Sequence, residues 1–314
     1  MTTYVDRQTT LADQVTLTGI GVHSGKPASI TLVPAEACVG VVFTRTDQED
    51  APEMPALWSK VSATALCTVL GDPTKEGIAT VEHLMAALFG MGVDNVIVEI
   101  DGPEMPIMDG SSTVFVEAIE QVGLKKLDRG RRYLKVNKTV RVDNGSAWCE
   151  LHPYDGTKFD ITIDFDTPVI GRQQFVSEMT PEVFRDDLSR ARTFGNVKDV
   201  EQLWKMGFAL GSSLENSVAI ADDKVLNPEG TRWPDEFARH KALDAVGDLA
   251  LAGLPILGLY RSFKGGHKMN HAILVKLFED PSAFEIVEAP AFRQVGQVDS
   301  GGLAASTAFG SEAF

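Results

Sequence analysis

Alternating apolar and polar residues in the first third of the chain predict short strands followed by helices. The alternation over Val15–Thr18 and Ala28–Val33 is typical of half-buried strands, and the turn-rich segment Gly19–Gly25 connects the two. Residues 101–110 contain two prolines and predict a loop. The same criteria predict strands at Gly40–Thr44, Cys67–Leu70 and Asn95–Ile100, and helices at Thr80–Phe89 and Ser112–Val122.

The pattern repeats after a basic segment, Lys125–Arg132, which contains few apolar residues and which we interpret as a linker. Each half has strands first and helices later, so we predict an α+β fold with domains at 1–128 and 129–294. Residues 295–314 are rich in Gly, Ala and Ser and predict a flexible tail. The second half has predicted strands at Arg132–Val142, Ala147–His152, Phe159–Phe165 and His271–Leu277, and predicted helices at Pro181–Ser189, Val197–Met206 and 235–252.

Composition narrows the class of protein. The 314 residues are 44% hydrophobic and 23% charged, as in ordinary soluble proteins. A formal net charge of -15 argues against a nucleic-acid partner, but it allows an anionic small molecule to bind at a local basic cluster. The three cysteines form no CxxC pair, and we find neither a secretory signal nor a transmembrane segment. We therefore expect a cytoplasmic protein.

The helix predicted at 235–252 carries candidate metal ligands. His240, Asp244 and Asp248 follow one another at intervals of four residues, so they share one face. A His and a carboxylate one turn apart can bind a divalent ion, but a firm site needs a third ligand. The alternative interpretation is an ordinary solvated helix face.

A Glu-His pair on another predicted helix supplies the third candidate ligand. Glu82 and His83 resemble half of a metallopeptidase helix, although positions 79 and 87 are both Ala and the second His is missing. His83 together with His240 and Asp244 would give a hydrolytic zinc site with an open position. Zinc lowers the pKa of a bound water to about 7, and Glu82 would accept its proton. A helix start or a hydrogen-bonded core pair is the alternative.

A Gly-Gly step precedes a further candidate for proton transfer. It presents His267 on a predicted loop, where this side chain could act as a general acid while Asp248 holds its tautomer. We interpret His271 as a structural residue inside the following strand.

Several motifs resemble the family of UDP-3-O-acyl-N-acetylglucosamine deacetylases, which are zinc enzymes of lipid A synthesis. The resemblance extends from Gln14 to Leu277. The motifs are Gly19–Gly25, Thr80–Leu84, Pro106–Ser111, Ser189–Gly195, Val225–Asn227, His240–Asp248 and Phe263–His267.

The resemblance implies a role for each of these residues. It implies one zinc ion per chain, with iron(II) as an alternative. The implied metal ligands are His83, His240 and Asp244. The implied catalytic residues are Glu82 as base, His267 with Asp248 as acid, Thr193 at the oxyanion and Lys241 at the substrate. The implied substrate contacts are Phe194 at the sugar, Lys264 at the diphosphate, and Leu66 and Cys67 at the acyl chain.

An insert at about 196–214 would form an apolar passage for the acyl chain, with Val200 and Trp204 among its residues. At helical spacing these residues are also compatible with ordinary core, and Cys67 with a small buried hydrophobic residue. The implied fold is a β-α-α-β sandwich with the helices inside and the site at the domain junction.

The implied activity is removal of the 2-N-acetyl group from an acylated UDP-glucosamine. The resemblance also implies that the protein is a monomer. We leave contact with the inner membrane open. The alternatives are another N-acetylated or N-acylated nucleotide sugar as the substrate, or a non-catalytic protein that binds a lipid precursor or a nucleotide sugar.

Overall fold

The computed structural model describes residues 6–289, and the predicted tail at 295–314 lies outside them. The first part of the chain forms a series of short strands around two helices. Its elements are β1 (Arg7–Leu11), β2 (Val15–Ile20), β3 (Pro27–Pro34), β4 (Val41–Arg45), β5 (Met54–Pro55), β6 (Val61–Ala63), β7 (Val69–Leu70), β8 (Ile78–Ala79), α1 (Glu82–Met91), β9 (Val96–Ile100) and α2 (Thr113–Val122).

The second part has longer strands and the longest helix. Its elements are β10 (Leu124–Gly130), β11 (Arg132–Val136), β12 (Val140–Asn144), β13 (Ala147–His152), β14 (Thr157–Asp164), β15 (Arg172–Glu178), α3 (Pro181–Val183) continued by a π-helical turn (Phe184–Leu188), β16 (Phe194–Asn196), α4 (Val197–Lys205), β17 (Val218–Ala221), β18 (Lys224–Val225), α5 (Glu236–Ala250), β19 (Ile256–Phe263), α6 (His267–Phe278) and β20 (Phe284–Glu288).

The α+β class is confirmed, and one predicted element is wrong. The segment His271–Leu277 lies within helix α6 and is not a strand, so His267 begins a helix instead of lying on a loop. The predicted linker around Lys125 forms β10, which pairs antiparallel with β1. The predicted strand Arg132–Val142 is divided into β11 and β12. No helix within residues 6–289 is long and apolar enough to cross a membrane.

Each part of the chain contributes one large sheet. The first has five strands in the order β2-β3-β9-β4-β5, in which only β4 and β9 run parallel. The second has seven strands built around β19, which pairs with β11, β13 and β14. Helix α5 packs on β14 and β15, and α6 packs on β12 and β13, while α2 contacts β2. This packing supports the predicted sandwich, and the domain boundaries stay a prediction.

Helices α1 and α5 pack directly against each other in the centre of the molecule. Every residue of α1 except Phe89 is buried, and so is every residue of α5 except Arg239 and Lys241. The closest approach is at Gly247, where an added Cβ would lie 2.0 Å from the backbone oxygen of Glu82. Only a glycine allows this backbone contact, because any side chain would push the two helices apart.

We expect Gly247→Ala to lower the free energy of unfolding by about 1–3 kcal/mol, since the new methyl group meets backbone that cannot move without shifting a helix. Denaturant unfolding measures this value. Gly102→Ala is the matched control because no atom lies within 4 Å of its added Cβ. An equal stability loss in both variants would contradict the close contact.

Candidate active site

The N-terminal turn of α1 and the middle of α5 bring three candidate metal ligands together. Ligand atoms of His83, His240 and Asp244 all lie within 4.8 Å of one another, and the three residues are buried. Oδ1 of Asp244 lies 3.6 Å from Nε2 of His83 and 3.4 Å from Nε2 of His240. The ligands of a tetrahedral ion with bonds of about 2.1 Å are about 3.4 Å apart, so this spacing fits a zinc-sized ion.

The hydrogen bonding of these residues also fits a metal ion. Nδ1 of His240 lies 3.0 Å from the carbonyl oxygen of Ala191, which orients Nε2 towards Asp244. Burial lowers the pKa of His240 to about 3, so its imidazole is neutral and can bind a metal. Within residues 6–289, the buried Oδ1 of Asp244 has no hydrogen-bond partner. A cation bound at this point would satisfy this buried carboxylate oxygen.

Two groups suited to proton transfer face each other beside these ligands. Oε1 of Glu82 lies 3.8 Å from Nε2 of His267, the first residue of α6. Burial raises the pKa of Glu82, although the charges of His267 and His83 act in the opposite direction. Burial lowers the pKa of His267, but the carboxylates of Asp248 and Glu82 outweigh burial and raise it to about 10. His267 therefore carries a proton while Glu82 accepts hydrogen bonds.

Asp248 holds His267 in this position. Its Oδ2 accepts a hydrogen bond of 2.8 Å from Nδ1 of His267, which leaves Nε2 directed at the site. The same oxygen accepts from Nδ2 of Asn270, and Oδ1 accepts from the hydroxyl of Thr68 at 2.6 Å. The sequence analysis missed both Thr68 and Asn270. The helical spacing from His267 to Asn270 would have revealed the second residue if α6 had been recognised.

Lys241 and Phe194 form one wall beside the ligands. Nζ of Lys241 donates to Oδ2 of Asp244 at 2.8 Å and lies 5.6 Å from the centre of the Phe194 ring. Burial lowers the pKa of Lys241, but the charge of Asp244 outweighs this and raises it. The Phe194 ring also lies edge-on to His240, at 6.1 Å between centroids. Thr193 precedes Phe194 and is partly exposed, and its backbone bonds to Gly110 and Val218.

Three other predicted residues lie on segments around the site. Lys264 has a φ of 54° and forms an ion pair with Asp164 at 3.1 Å. Leu66 has a φ of 71° and is half-exposed, whereas Cys67 is buried. Burial, with a smaller contribution from the charge of Glu82, raises the pKa of the Cys67 thiol to about 12. The thiol is therefore neutral and acts as a small packing group.

The insert contributes an exposed apolar surface. No residue of α4 is buried, so the interpretation of Val200 and Trp204 as ordinary core is wrong. Beyond α4, Phe208 lies edge-on to His23, at 6.0 Å between ring centroids. Burial lowers the pKa of His23, the charge of Glu104 opposes this, and the charge of His267 makes a smaller contribution in the same direction as burial. The half-exposed or more exposed apolar residues of this segment are Trp204, Met206, Phe208, Leu210 and Leu214.

A buried group of two His and one Asp that could hold a metal ion, beside the carboxylate of Glu82 and a His-Asp pair, fits the class of metal-dependent hydrolases. Comparison with known proteins agrees with this class. A family model described as UDP-3-O-acyl N-acetylglycosamine deacetylase matches residues 8–279, and the chain belongs to this family. It is therefore a hydrolase that acts on an amide.

Named relatives give the same result over nearly the whole chain. The UDP-3-O-acyl-N-acetylglucosamine deacetylases of Brucella ovis, Brucella canis and Brucella melitensis biotype 2 are each 52% identical to it over 283 residues. The matched region covers 90% of this chain and 99% of each relative.

We expect Asp244→Ala to weaken metal binding by more than the roughly 100-fold that loss of an outer-sphere partner can cost, because it removes a direct ligand. Metal content after dialysis against a graded chelator measures the affinity. His152→Ala is the control, since His152 bonds Glu150 and Thr139 in an exposed part of the second sheet. Retention of one ion by Asp244→Ala would contradict the assigned ligand set.

Proposed function

We propose that this chain hydrolyses the 2-acetamido group of UDP-3-O-acyl-N-acetylglucosamine, giving UDP-3-O-acyl-glucosamine and acetate in lipid A synthesis. The observation that carries the proposal is the buried group of His83, His240 and Asp244 beside the facing side chains of Glu82 and His267, in a chain of the deacetylase family. The relatives' names supply the substrate. Water adds to the acetyl carbonyl, and the C–N bond breaks.

His83, His240 and Asp244 would hold the metal ion. A divalent ion there polarises the acetyl carbonyl and lowers the pKa of a coordinated water molecule. We assign zinc, one ion per chain, because two imidazoles and a carboxylate suit its preferred ligands. Iron(II) and cobalt accept the same ligands, so metal analysis of the purified protein has to decide between them.

The proton steps follow from the two facing groups. Glu82 takes a proton from the attacking water, and its backbone-bonded Oε2 keeps Oε1 directed at the site. His267 gives the proton on Nε2 to the departing nitrogen, while Asp248 keeps Nδ1 occupied. The protons balance once Glu82 passes the proton taken from water to Nε2 of His267, 3.8 Å away, which restores both groups. Over one turnover, water then supplies a hydroxyl group to acetic acid and a hydrogen to the amine.

The remaining polar residues would stabilise and orient the substrate. We propose that the hydroxyl of Thr193 stabilises the oxyanion of the reaction intermediate. The ammonium of Lys241 would stabilise the negative charge that develops on the substrate. Phe194 would contact the sugar, and Lys264 would exchange its partner Asp164 for the diphosphate. The acyl chain would contact Leu66, Cys67, Val200 and Trp204. The exposed apolar side chains of the insert favour this contact.

We further propose that the protein acts as a cytoplasmic monomer. Its three cysteines are free, which agrees with a reducing compartment. The formal charge of -15 argues against nucleic acid as a partner. Sedimentation of the purified chain tests the monomer.

We expect Glu82→Gln to reduce kcat for acetate release by about 100- to 10,000-fold, because the amide cannot accept the proton from water. Acetate release and metal content are measured together on the same sample. Glu117→Gln is the matched control, since Glu117 is exposed on α2. Unchanged turnover in Glu82→Gln with the metal retained would remove Glu82 as the base.

We expect kcat/KM to fall about 100-fold when UDP-N-acetylglucosamine without the acyl chain replaces the acylated substrate. Four buried methylenes at about 0.8 kcal/mol each would supply about 3 kcal/mol of binding, which corresponds to this factor. Initial rates with both substrates measure the ratio. Equal values would favour the alternative, a different N-acetylated nucleotide sugar.

A further inference from the structure

The carboxylate of Asp248 is held from both of its oxygens inside the protein. Asn270 donates to Oδ2 at 2.8 Å, and the hydroxyl of Tyr260 donates to Oδ1 of Asn270 at 2.6 Å, which fixes the orientation of that amide. On the other side, the hydroxyl of Thr68 donates to Oδ1 of Asp248 at 2.6 Å. Because His267 bonds to Oδ2, any rotation of this carboxylate moves the imidazole.

Thr68 also contacts the opposite group. Its backbone N–H donates to Oε2 of Glu82 at 3.0 Å, and its carbonyl accepts from the N–H of Val81 at the start of α1. Thr68 is 1% exposed, so water does not compete for these bonds. The chain enters this position through Leu66, whose φ of 71° turns the backbone just before it.

We propose that Thr68 is a positioning residue, which holds Glu82 through its backbone and the Asp248–His267 pair through its hydroxyl. This inference rests on the proposed deacetylation. Among the described residues that hydrogen-bond to Asp248, His267 faces Glu82 only at ion-pair distance, whereas Thr68 also donates a hydrogen bond to Glu82. One rigid residue thereby sets the distance between the group that takes a proton and the group that gives one.

The hydroxyl and the backbone of Thr68 have separable effects. Removing the hydroxyl leaves Oδ1 of Asp248 without its donor, while the backbone bond to Glu82 remains. A buried charged acceptor without a donor moves towards another partner. His267 would then lose its alignment with the departing nitrogen, which lowers kcat but leaves substrate binding intact.

The test compares variants in two matched comparisons. Thr68→Val replaces the hydroxyl by a methyl group, whereas Thr68→Ala and Thr68→Ser both lack the γ-methyl group and differ from each other only in the hydroxyl. We expect both hydroxyl-free variants to lose about 10- to 100-fold in kcat with KM within about twofold, and Thr68→Ser to recover most of the loss. Thr68→Ala keeps the test valid if Thr68→Val does not fold. Thr10→Val is the control, because it removes another buried hydroxyl, which bonds to Ala35 far from the site in sequence and sheet.

A second readout does not need turnover. The Nδ1 proton of His267 is donated to a carboxylate, and it gives a downfield proton resonance that is assigned by its loss in His267→Ala. We expect this resonance to move or broaden in Thr68→Ala and to persist in Thr68→Ser, with metal content unchanged. If the unmodified chain releases no acetate, the proposed function fails, and the resonance still decides the role of Thr68.

Two kinetic results would overturn the role of Thr68. One is a kcat of Thr68→Val and Thr68→Ala equal to that of the unmodified chain. The other is a loss in Thr68→Ser as large as that in Thr68→Ala, since the hydroxyl would then have no effect. An unchanged His267 resonance in Thr68→Ala contradicts the proposal in the same way.

Discussion

The contact between α1 and α5 is the constraint on which the rest of the structure depends. His83 comes from one helix, and His240 and Asp244 come from the other, so no metal site exists unless the two backbones approach closely. Gly247 permits that approach, because its missing side chain leaves room for the backbone of Glu82. The positions of Glu82 and His83 are therefore set by packing against the second half of the chain.

The contact between α1 and α5 buries charged side chains on helix faces that would otherwise carry apolar residues. Asp244 and Asp248 are almost fully buried on α5, and Glu82 is buried on α1. Buried charges destabilise a fold unless partners compensate them, and here every partner belongs to the site: Lys241, the imidazoles, Thr68 and Asn270. We infer that the protein retains these groups for chemistry, since an apolar face would pack these helices at lower cost.

The sequence predicted α1, α5 and the grouping of His83, His240 and Asp244, because long periodic segments carry both their helical signal and their chemistry. It failed at α6, where an apolar run with β-branched residues was interpreted as the strand His271–Leu277. The helical spacing is visible only from Met269, through Ile273 and Leu274, to Leu277, all of which are buried. Local β propensity there is overridden by packing against the second sheet.

Thr68 could not be found from the sequence for a different reason. It lies in a short, irregular segment with no periodicity, and its partners Glu82 and Asp248 are 14 and 180 residues away along the chain. Only the folded structure brings these three residues together. The apolar insert does have a periodic pattern, but this pattern has two interpretations. Helical spacing alone does not distinguish a buried core helix from an exposed helix such as α4.

The proposed deacetylation depends on one metal ion bound between α1 and α5. The most direct measurement is acetate release from UDP-3-O-acyl-N-acetylglucosamine as zinc is added back in steps to metal-depleted protein. We expect no turnover without metal and a linear rise that ends at one ion per chain. Full turnover in the depleted protein, or none after reconstitution of a folded chain, would contradict it.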